Sequence, residues 1–217
     1  MAKTPDPSRS RPATLDVLRK QAASCRRCDL WARGTQTVFG SGAPHARVVL
    51  VGEQPGDVED QKGEPFVGPA GRLLREALGE AGLDLADVYL TNAVKHFKWV
   101  PRGKRRIHQK PNRDEIVACR PWLDGELAAI KPSIVVALGA TAAGALLGPQ
   151  VRVTRDRGQF QATSFAPFVT VTVHPSSILR SRTDEERRDA RDRFVQDLRA
   201  VAERLRKIPH RSTSRRG

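Results

Sequence analysis

Four short apolar runs separated by helical patterns constrain the fold of this chain more than any other feature of its sequence. They cover residues 47–52, 88–93, 133–139 and 168–173. Their nearly continuous apolar character is typical of strands buried on both faces. Strands that alternate with helices form a parallel sheet covered by helices on both sides. We therefore expect an α/β domain of three layers, α/β/α, around a central four-stranded parallel sheet.

Five helical patterns lie around these runs. They cover residues 15–23, 71–82, 112–130, 141–148 and 183–205. Asn112 and Thr183 are the expected N-caps of two of these helices, because acidic residues follow each of them in the first turn. Ser181 is the alternative to Thr183.

A single domain suits the length of 217 residues, and no internal repeat divides the chain. We place this domain at residues 13–207. Residues 1–12 and 208–217 are rich in Pro, Ser or Arg, and we expect both to be flexible tails. No apolar run is long enough to cross a bilayer and the N-terminus lacks an apolar signal core, so we expect a cytoplasmic protein.

The charge balance favours a polyanionic partner. The chain has 38 Lys and Arg residues against 24 Asp and Glu residues, which gives a formal net charge of +14. Nucleic acid is the commonest partner of so basic a domain. A basic protein with a merely solvated surface is the alternative.

Polar motifs follow all four predicted strands. They are GEQPGD at 52–57, TNAVKH at 91–96, LGAT at 138–141 and HPSS at 174–177. Because ligands of open α/β sheets bind at the carboxyl ends of the strands, we expect these motifs to form one site.

The chain has three cysteines, an odd number that argues against a disulfide framework. Cys25 and Cys28 form a C-x-x-C motif, a spacing used by redox pairs, zinc sites and iron–sulfur sites, and Cys119 lies far downstream. Three thiolates need a fourth ligand to close a tetrahedral site. His96 is the best candidate, and an ordinary loop histidine beside buried cysteines is the alternative.

A basic run, Lys104, Arg105 and Arg106, precedes Ile107 and His108. Such a run is suited to bind DNA phosphates. Judged from this loop alone, His108 is one more member of a phosphate clamp.

Four motifs together resemble the uracil-DNA glycosylase superfamily, in the order in which that superfamily carries them. They lie at residues 51–74, 91–96, 111–123 and 174–180, so the resemblance spans nearly the whole domain. Within the superfamily the motifs are most similar to those of its iron–sulfur branch, family 4.

The sequence departs from family 4 in three places. His96 stands where the family has a cysteine, Gln54 stands where it has an alanine, and a longer basic loop carries KRRIH at 104–108. These departures resemble the UdgX group, whose members excise uracil and then become covalently attached to DNA through a histidine of that loop. The resemblance thus implies that His108 is a nucleophile.

The resemblance also implies a uracil pocket. Phe66 would stack on the base, Asn92 would bind its edge through an amide donor and acceptor, and His174 would donate a hydrogen bond to uracil O2. The backbone from Gly52 to Gly56 would line the pocket, since glycines allow close approach. A core aromatic, a turn cap and a structural histidine are the alternatives for these three side chains.

Further roles are implied for residues around the pocket. Glu53 would take part in catalysis by placing water, by acting on the sugar cation or by orienting His108. Gln54 is a candidate for both catalysis and uracil binding, Asp57 for uracil binding, and Asp60 is a weaker candidate. Arg106 would stabilise the imidazole or a phosphate. Phosphate contacts are also expected from Ser176 and Ser177.

The resemblance implies a [4Fe–4S] cluster held by Cys25, Cys28, His96 and Cys119, with a structural role; zinc is the alternative metal. The expected partner is uracil-containing DNA, single-stranded first and double-stranded as the alternative, and we expect a monomer. Two rival functions remain open, a multiple-turnover family 4 glycosylase and a nucleic-acid-binding module without activity.

Overall fold

The computed structural model of this protein describes residues 13–209. The strands are β1 Ser41–Gly42, β2 Val48–Gly52, β3 Val88–Asn92, β4 Trp99–Arg102, β5 Arg105–His108, β6 Ile134–Leu138 and β7 Phe168–Thr172. The α-helices are α1 Leu15–Ala22, α2 Asp57–Lys62, α3 Pro69–Glu80, α4 Arg113–Ile130, α5 Gly139–Leu147, α6 Val153–Asp156, α7 Pro175–Leu179 and α8 Asp184–Arg206. Short 3-10 helices cover Asp29–Ala32 and Leu85–Asp87.

The central sheet has the strand order β1-β3-β2-β6-β7. The last four of these strands are parallel and are the four that the sequence predicts, so the expected α/β fold is confirmed. The structure corrects the strand count, because β1 adds a fifth strand that runs antiparallel to β3. Two residues are too few to produce a periodic signal. Gly42 permits this close pairing, since it has a positive φ of 135° and a Cβ there would lie 2.4 Å from the Val88 carbonyl oxygen.

Helices cover both faces of the sheet, and the two faces follow the alternation along each strand. Leu50 of β2 points to the layer of α3 and α8, where it shares an apolar cluster with Leu74 and Leu198. Val49 points to the opposite layer, where it shares a cluster with Leu123 of α4. The three expected layers are therefore present.

The expected N-caps of the two long helices are confirmed. Asn112 and Glu115 form a capping box at the start of α4, and Thr183 and Glu186 form one at the start of α8. Ser181, the alternative cap, lies outside that box.

Most of the two predicted tails, residues 1–12 and 210–217, lies outside the described residues. Ile208 lies in the predicted C-terminal tail, yet it packs against the core, and its carbonyl oxygen accepts a hydrogen bond of 2.7 Å from Arg47 Nη2. In residues 13–209, no helix has both the length and the apolar character that a membrane span requires.

The predicted basic loop is a β-hairpin. Strands β4 and β5 pair antiparallel, with Trp99 opposite His108 and Pro101 opposite Arg106. Gly103 has a positive φ of 58° at the first position of the two-residue turn, where glycine is favoured. His108 therefore sits at the base of a regular element that projects from the carboxyl side of the sheet.

Candidate active site

The carboxyl ends of β2 and β3 bring three residues into one pocket. A Cβ on Gly52 would lie 2.3 Å from Asn92 Oδ1 and 2.7 Å from Phe66 Cζ, so only glycine fits between them. Phe66 itself has a positive φ of 57°, a strained backbone conformation for a bulky residue. Gly71 of α3 presses on the Phe66 backbone from below, since a Cβ there would lie 1.8 Å from its carbonyl oxygen. The surrounding backbone thus fixes the Phe66 ring over Gly52.

Asn92 carries a buried polar atom with no partner. The side chain is 3% exposed, and Oδ1 accepts no hydrogen bond from any described residue. Leaving such an atom unsatisfied costs about 1–3 kcal/mol. An incoming donor at this position would recover that cost.

Two buried residues beneath Asn92 were not among the sequence-based candidates. Lys95 Nζ donates to the Asn92 carbonyl oxygen at 2.8 Å and pairs with Glu126 Oε2 at 2.5 Å. Glu126 also accepts hydrogen bonds from the Gly40 amide and the Tyr89 hydroxyl, each at 3.0 Å. In the sequence, the lysine three residues after Asn92 was the one available signal for this pair. Its carboxylate partner lies 31 residues further along the chain, so no local pattern indicates it.

His174 closes the far side of the pocket. Its ring is stacked against Phe66, with the centroids 6.2 Å apart. Nδ1 accepts the Ser176 backbone N–H at 3.2 Å, so a neutral ring carries its proton on Nε2. Nε2 has no hydrogen-bond partner among residues 13–209 and is available as a donor. Burial, with smaller contributions from Arg180 and His108, lowers the pKa of His174 to about 4 against the opposing Glu53 charge.

Both serines of the HPSS motif bond to His174. Ser176 Oγ lies 2.8 Å from Nδ1, and Ser177 Oγ donates to the His174 carbonyl oxygen at 2.7 Å. Ser177 is exposed and Ser176 is partly buried. Their hydroxyls therefore orient the histidine in this structure, and the expected phosphate contacts stay a prediction.

Glu53 joins the hairpin to the pocket. His108 Nε2 lies 3.3 Å from Glu53 Oε1, and the imidazole is half exposed while the carboxylate is mostly covered. Thr141, at the start of α5, donates to the other carboxylate oxygen. Burial raises the pKa of Glu53, but the hydrogen bonds from His108 and Thr141 outweigh it and the pKa is lowered. Thr141 was missed as a site residue, although it lies in the LGAT motif.

Gln54 holds both ends of the hairpin. Its Nε2 donates to the carbonyl oxygens of Lys98 and Gln109, at 3.2 and 3.0 Å, and its Oε1 accepts the Lys98 amide. Lys98 precedes β4 and Gln109 follows β5. The polar atoms of Gln54 are thus engaged with the hairpin backbone rather than with the pocket, and its predicted contact with uracil has no support here.

Arg106 points into the protein and not towards solvent. It pairs with Asp57 at 2.5 Å and with Asp60 at 2.7 Å, and it lies over the rings of Phe97 and Trp99. Asp60 is fully buried and also accepts the Thr35 amide and hydroxyl. The pKa of Arg106 is raised because these carboxylate contacts outweigh its partial burial.

The alternation of a strand explains why the basic run divides. Successive side chains point to opposite faces, so Arg106 and His108 share the inner face while Arg105 lies on the outer one. Arg105 and Lys104 are exposed. Of the three predicted phosphate ligands, Arg106 is therefore already paired with a carboxylate. Its partner Asp57 is one of the residues that were expected to bind uracil.

The three cysteines lie near one another, where α4 meets the chain segments that follow α1 and β3. Cys119 joins a small buried cluster that includes Cys28, and Cys25 accepts a hydrogen bond of 3.2 Å from Trp122 Nε1. The Lys95 amide donates to Cys119 Sγ at 3.2 Å. Burial raises the pKa of Cys28, and it raises that of Cys119 to about 11.

These thiols suit a metal or cluster in donor type, since N–H groups already face two of the sulfurs. His96, one residue after Lys95, is buried, and its Nε2 bonds to Thr37 Oγ1 at 3.0 Å. Burial lowers the pKa of His96, which favours the neutral ring that a metal requires. Even so, no group of three or more His, Cys, Asp or Glu side chains in the described part of the chain is arranged to hold a metal ion.

Comparison with known proteins shows the family of this chain. A profile of the uracil DNA glycosylase superfamily matches residues 39–199. The chain is 38% identical over 180 residues to a type-4 uracil-DNA glycosylase of Thermotoga maritima, which covers 82% of this chain and 90% of that protein. It is 34% identical over 197 residues to a type-4 uracil-DNA glycosylase of Archaeoglobus fulgidus, covering 88% of this chain and 92% of that protein. The match thus includes every strand of the parallel sheet, and this chain belongs to the uracil-DNA glycosylase superfamily.

Proposed function

We propose that this protein excises uracil from DNA and that His108 then forms a covalent bond to C1′ of the vacated sugar. The observation that carries the proposal is the pair His108 Nε2–Glu53 Oε1, 3.3 Å apart, at the rim of the pocket formed by Phe66, Gly52 and Asn92. Type-4 uracil-DNA glycosylases are relatives of this chain along most of its length, which supports the first step.

The base enters the pocket after it leaves the DNA stack, because C1′ cannot be reached inside a duplex. Phe66 offers its ring face to the base. The unpaired Oδ1 of Asn92 accepts the N3–H of uracil, and the amide nitrogen donates to O4. Thymine carries the same edge but adds a methyl group at C5. Because Gly52 and Phe66 are in close contact, the pocket has little room for this methyl group.

Cleavage of the bond between C1′ and N1 leaves its electron pair on uracil. The protein must therefore stabilise a uracil anion and an oxocarbenium-like sugar. His174, neutral and with its proton on Nε2, donates to O2 of the departing base. Glu53, which stays ionised because its pKa is lowered, offers a negative charge to the sugar cation.

Capture follows from the position of His108. Nε2 passes its proton to Glu53 Oε1 and uses the freed lone pair to bond to C1′. The proton then leaves Glu53 for the uracil anion or solvent, so no water is consumed. A positioned group acts at an effective concentration of about 10⁵ M or more, which lets the imidazole outrun water. Each protein molecule would then act once.

A [4Fe–4S] cluster at Cys25, Cys28, Cys119 and His96 is part of the proposal. When bound, it would crosslink the end of α1, the root of the hairpin and α4, and it could also exchange an electron. The chain itself supplies the groups that bind the base and bond to the sugar.

The test is a denaturing gel of the protein with a uracil-containing single-stranded oligonucleotide, boiled in SDS, with free uracil measured in parallel. We expect a boiling-resistant band and about one uracil per protein. His108→Ala should abolish the band, whereas His45→Ala, at an exposed histidine before β2, should retain it. A thymine oligonucleotide should give neither product.

The same experiment separates the rival functions. Release of many uracils per protein without a band would identify a turnover glycosylase and return His108 to phosphate binding. Absence of both products would leave a nucleic-acid-binding protein without activity. A band that persists in His108→Ala would assign the bond to another residue.

A further inference from the structure

Trp31 stands out among the aromatic side chains. It is 40% exposed, and within residues 13–209 every other Phe, Tyr and Trp is buried or partly buried. It lies in the 3-10 helix Asp29–Ala32, just after the C-x-x-C motif.

A guanidinium covers one side of the Trp31 ring. Arg26 Cζ lies 4.4 Å from the ring centroid, which is cation–π contact distance. This pairing holds the indole in one orientation without hiding it. The exposed part of the ring is a flat apolar surface bordered by positive charge, which is the chemistry that binds an unpaired nucleobase.

Further positive charge surrounds this ring. Arg26, Arg27 and Arg33 are exposed, and among the described residues none of them forms an ion pair with a carboxylate. Asp29 is the one acid between them. Arg106 differs, because Asp57 and Asp60 already neutralise it. The positive charge of this segment, residues 26–33, is therefore available to an anionic partner.

The segment borders the proposed reaction centre. Trp99 Nε1 donates to the Arg33 carbonyl oxygen at 2.9 Å, and Trp99 lies directly opposite His108 in the hairpin. Cα atoms of opposed residues in such a pair are about 5 Å apart. The Arg33 end of residues 26–33 is thus separated from His108 by the Trp99 side chain and the spacing between two paired strands.

We propose that Trp31 and Arg26 form a stacking site for an unpaired base next to the flipped nucleotide, while Arg27 and Arg33 contact the adjacent phosphates. This inference rests on the proposed function of the neighbouring pocket. A base engaged in a duplex has both faces stacked and cannot use the site, so the site favours single-stranded DNA.

The test measures equilibrium binding of thymine-containing oligonucleotides, single-stranded and duplex, by fluorescence anisotropy. Stacking on an aromatic ring contributes enough affinity that Trp31→Ala should raise Kd for the single strand by about 10-fold or more. Kd for the duplex should stay within about twofold. Trp31→Phe retains a ring and should restore most of the affinity. Leu85→Ala, at an exposed residue far along the chain, should change neither value.

Two outcomes would overturn the inference. One is an equal change of Kd on single strand and duplex, and the other is no change on either. Because thymine DNA involves no excision, these results do not depend on the chemistry at His108. A uracil oligonucleotide with the unsubstituted protein distinguishes failure of the stacking site from failure of the proposed function. If this protein releases no uracil, the proposed function alone is contradicted.

Discussion

At position 52 only a hydrogen atom fits between the backbone and two side chains of the pocket. In Gly52→Ala, the new methyl group would lie 2.3 Å from Asn92 Oδ1 and 2.7 Å from Phe66 Cζ. Both side chains must shift by roughly an ångström, and a displacement of this size costs about 100-fold in rate. We expect uracil release to fall by that factor, and we expect the free energy of unfolding to fall by about 1–3 kcal/mol because the buried site becomes overpacked.

Gly79→Ala is the matched control for that substitution. Gly79 lies near the end of α3, and nothing stands within 4 Å of a Cβ there. Alanine should stabilise the helix by up to about 1 kcal/mol and leave uracil release unchanged. Full activity in Gly52→Ala would show that the pocket is not where the base binds.

The partly buried imidazole of His174 predicts a dependence of stability on pH. Its pKa is about 4 in the folded protein, below the ordinary value of 6.5, because burial disfavours the charged ring. Between these values the unfolded chain binds more protons, so stability rises with pH across that interval. From about pH 7 to about pH 5, this group alone should lower the free energy of unfolding by about 2 kcal/mol.

His174→Asn should remove that part of the pH dependence. Urea unfolding of both proteins at the two pH values gives the difference directly, and carboxylates common to both cancel. Glu53, Arg180 and His108 are the charges that act on the ring, so they must stay unchanged. Identical pH dependence in the two proteins would mean that the imidazole is not buried in its neutral form.

At the scale of single elements, the hairpin β4–β5 determines where His108 lies. Gln54 bonds to the backbone at both of its ends, through Lys98 and Gln109. Gln54→Ala removes these bonds without touching the base pocket. We expect covalent capture to slow by about 10-fold or more, with a smaller effect on uracil release. Single-turnover gels and uracil assays on one sample measure both rates, and equal losses would count against a positioning role.

Arg105 and Arg106 provide a second test, because neighbouring residues of one strand face opposite ways. Arg106→Leu leaves the buried Asp60 carboxylate without its cation, which should destabilise the protein by about 3 kcal/mol or more. Arg105→Leu should leave stability unchanged, weaken DNA binding and reduce the dependence of log Kd on log salt by about one unit. Urea unfolding and binding titrations at several salt concentrations check both, and similar stability losses would mean that the two side chains share an environment.

The sequence predicted the sheet better than the hairpin, for a physical reason. Runs such as Val48–Gly52 are buried on both faces and leave a strong apolar signal in the chain itself. In the hairpin, residues 99–108, four cations interrupt the apolar residues, and its inner face is set by Asp57 and Asp60, whose positions depend on the folded chain. The run of three cations suggested one role, whereas strand alternation gives Arg106 a different one.

At the scale of the whole molecule, the site depends on contacts that no local pattern records. The Glu53–His108 pair joins the end of β2 to the hairpin, and the Lys95–Glu126 pair joins the segment after β3 to α4. The strand-end motifs indicated that these segments meet, because parallel strands share one carboxyl edge. Which side chains touch could only follow from packing.

The cysteine region is the part of the molecule that a bound cluster would stabilise most. Two apolar clusters lie there, one between α1 and α4 and one between α4 and the residues Leu30 and Val94, and both are far smaller than those on either face of the sheet. A group that binds only the folded protein stabilises it in proportion to its affinity. Cys119→Ala removes one proposed ligand, so we expect less bound iron per chain and a lower unfolding temperature.

Val117→Ala is the matched control, since Val117 is an exposed residue of the same helix. It should keep the iron content and the unfolding temperature of the unsubstituted protein. If elemental analysis finds zinc and no iron, the bound metal is zinc, and the site does not hold an iron–sulfur cluster. Unchanged metal content in Cys119→Ala would remove Cys119 from the ligands. If the protein holds no metal and its stability still falls on this substitution, the thiol is a core residue that packs α4 against Leu30 and Val94.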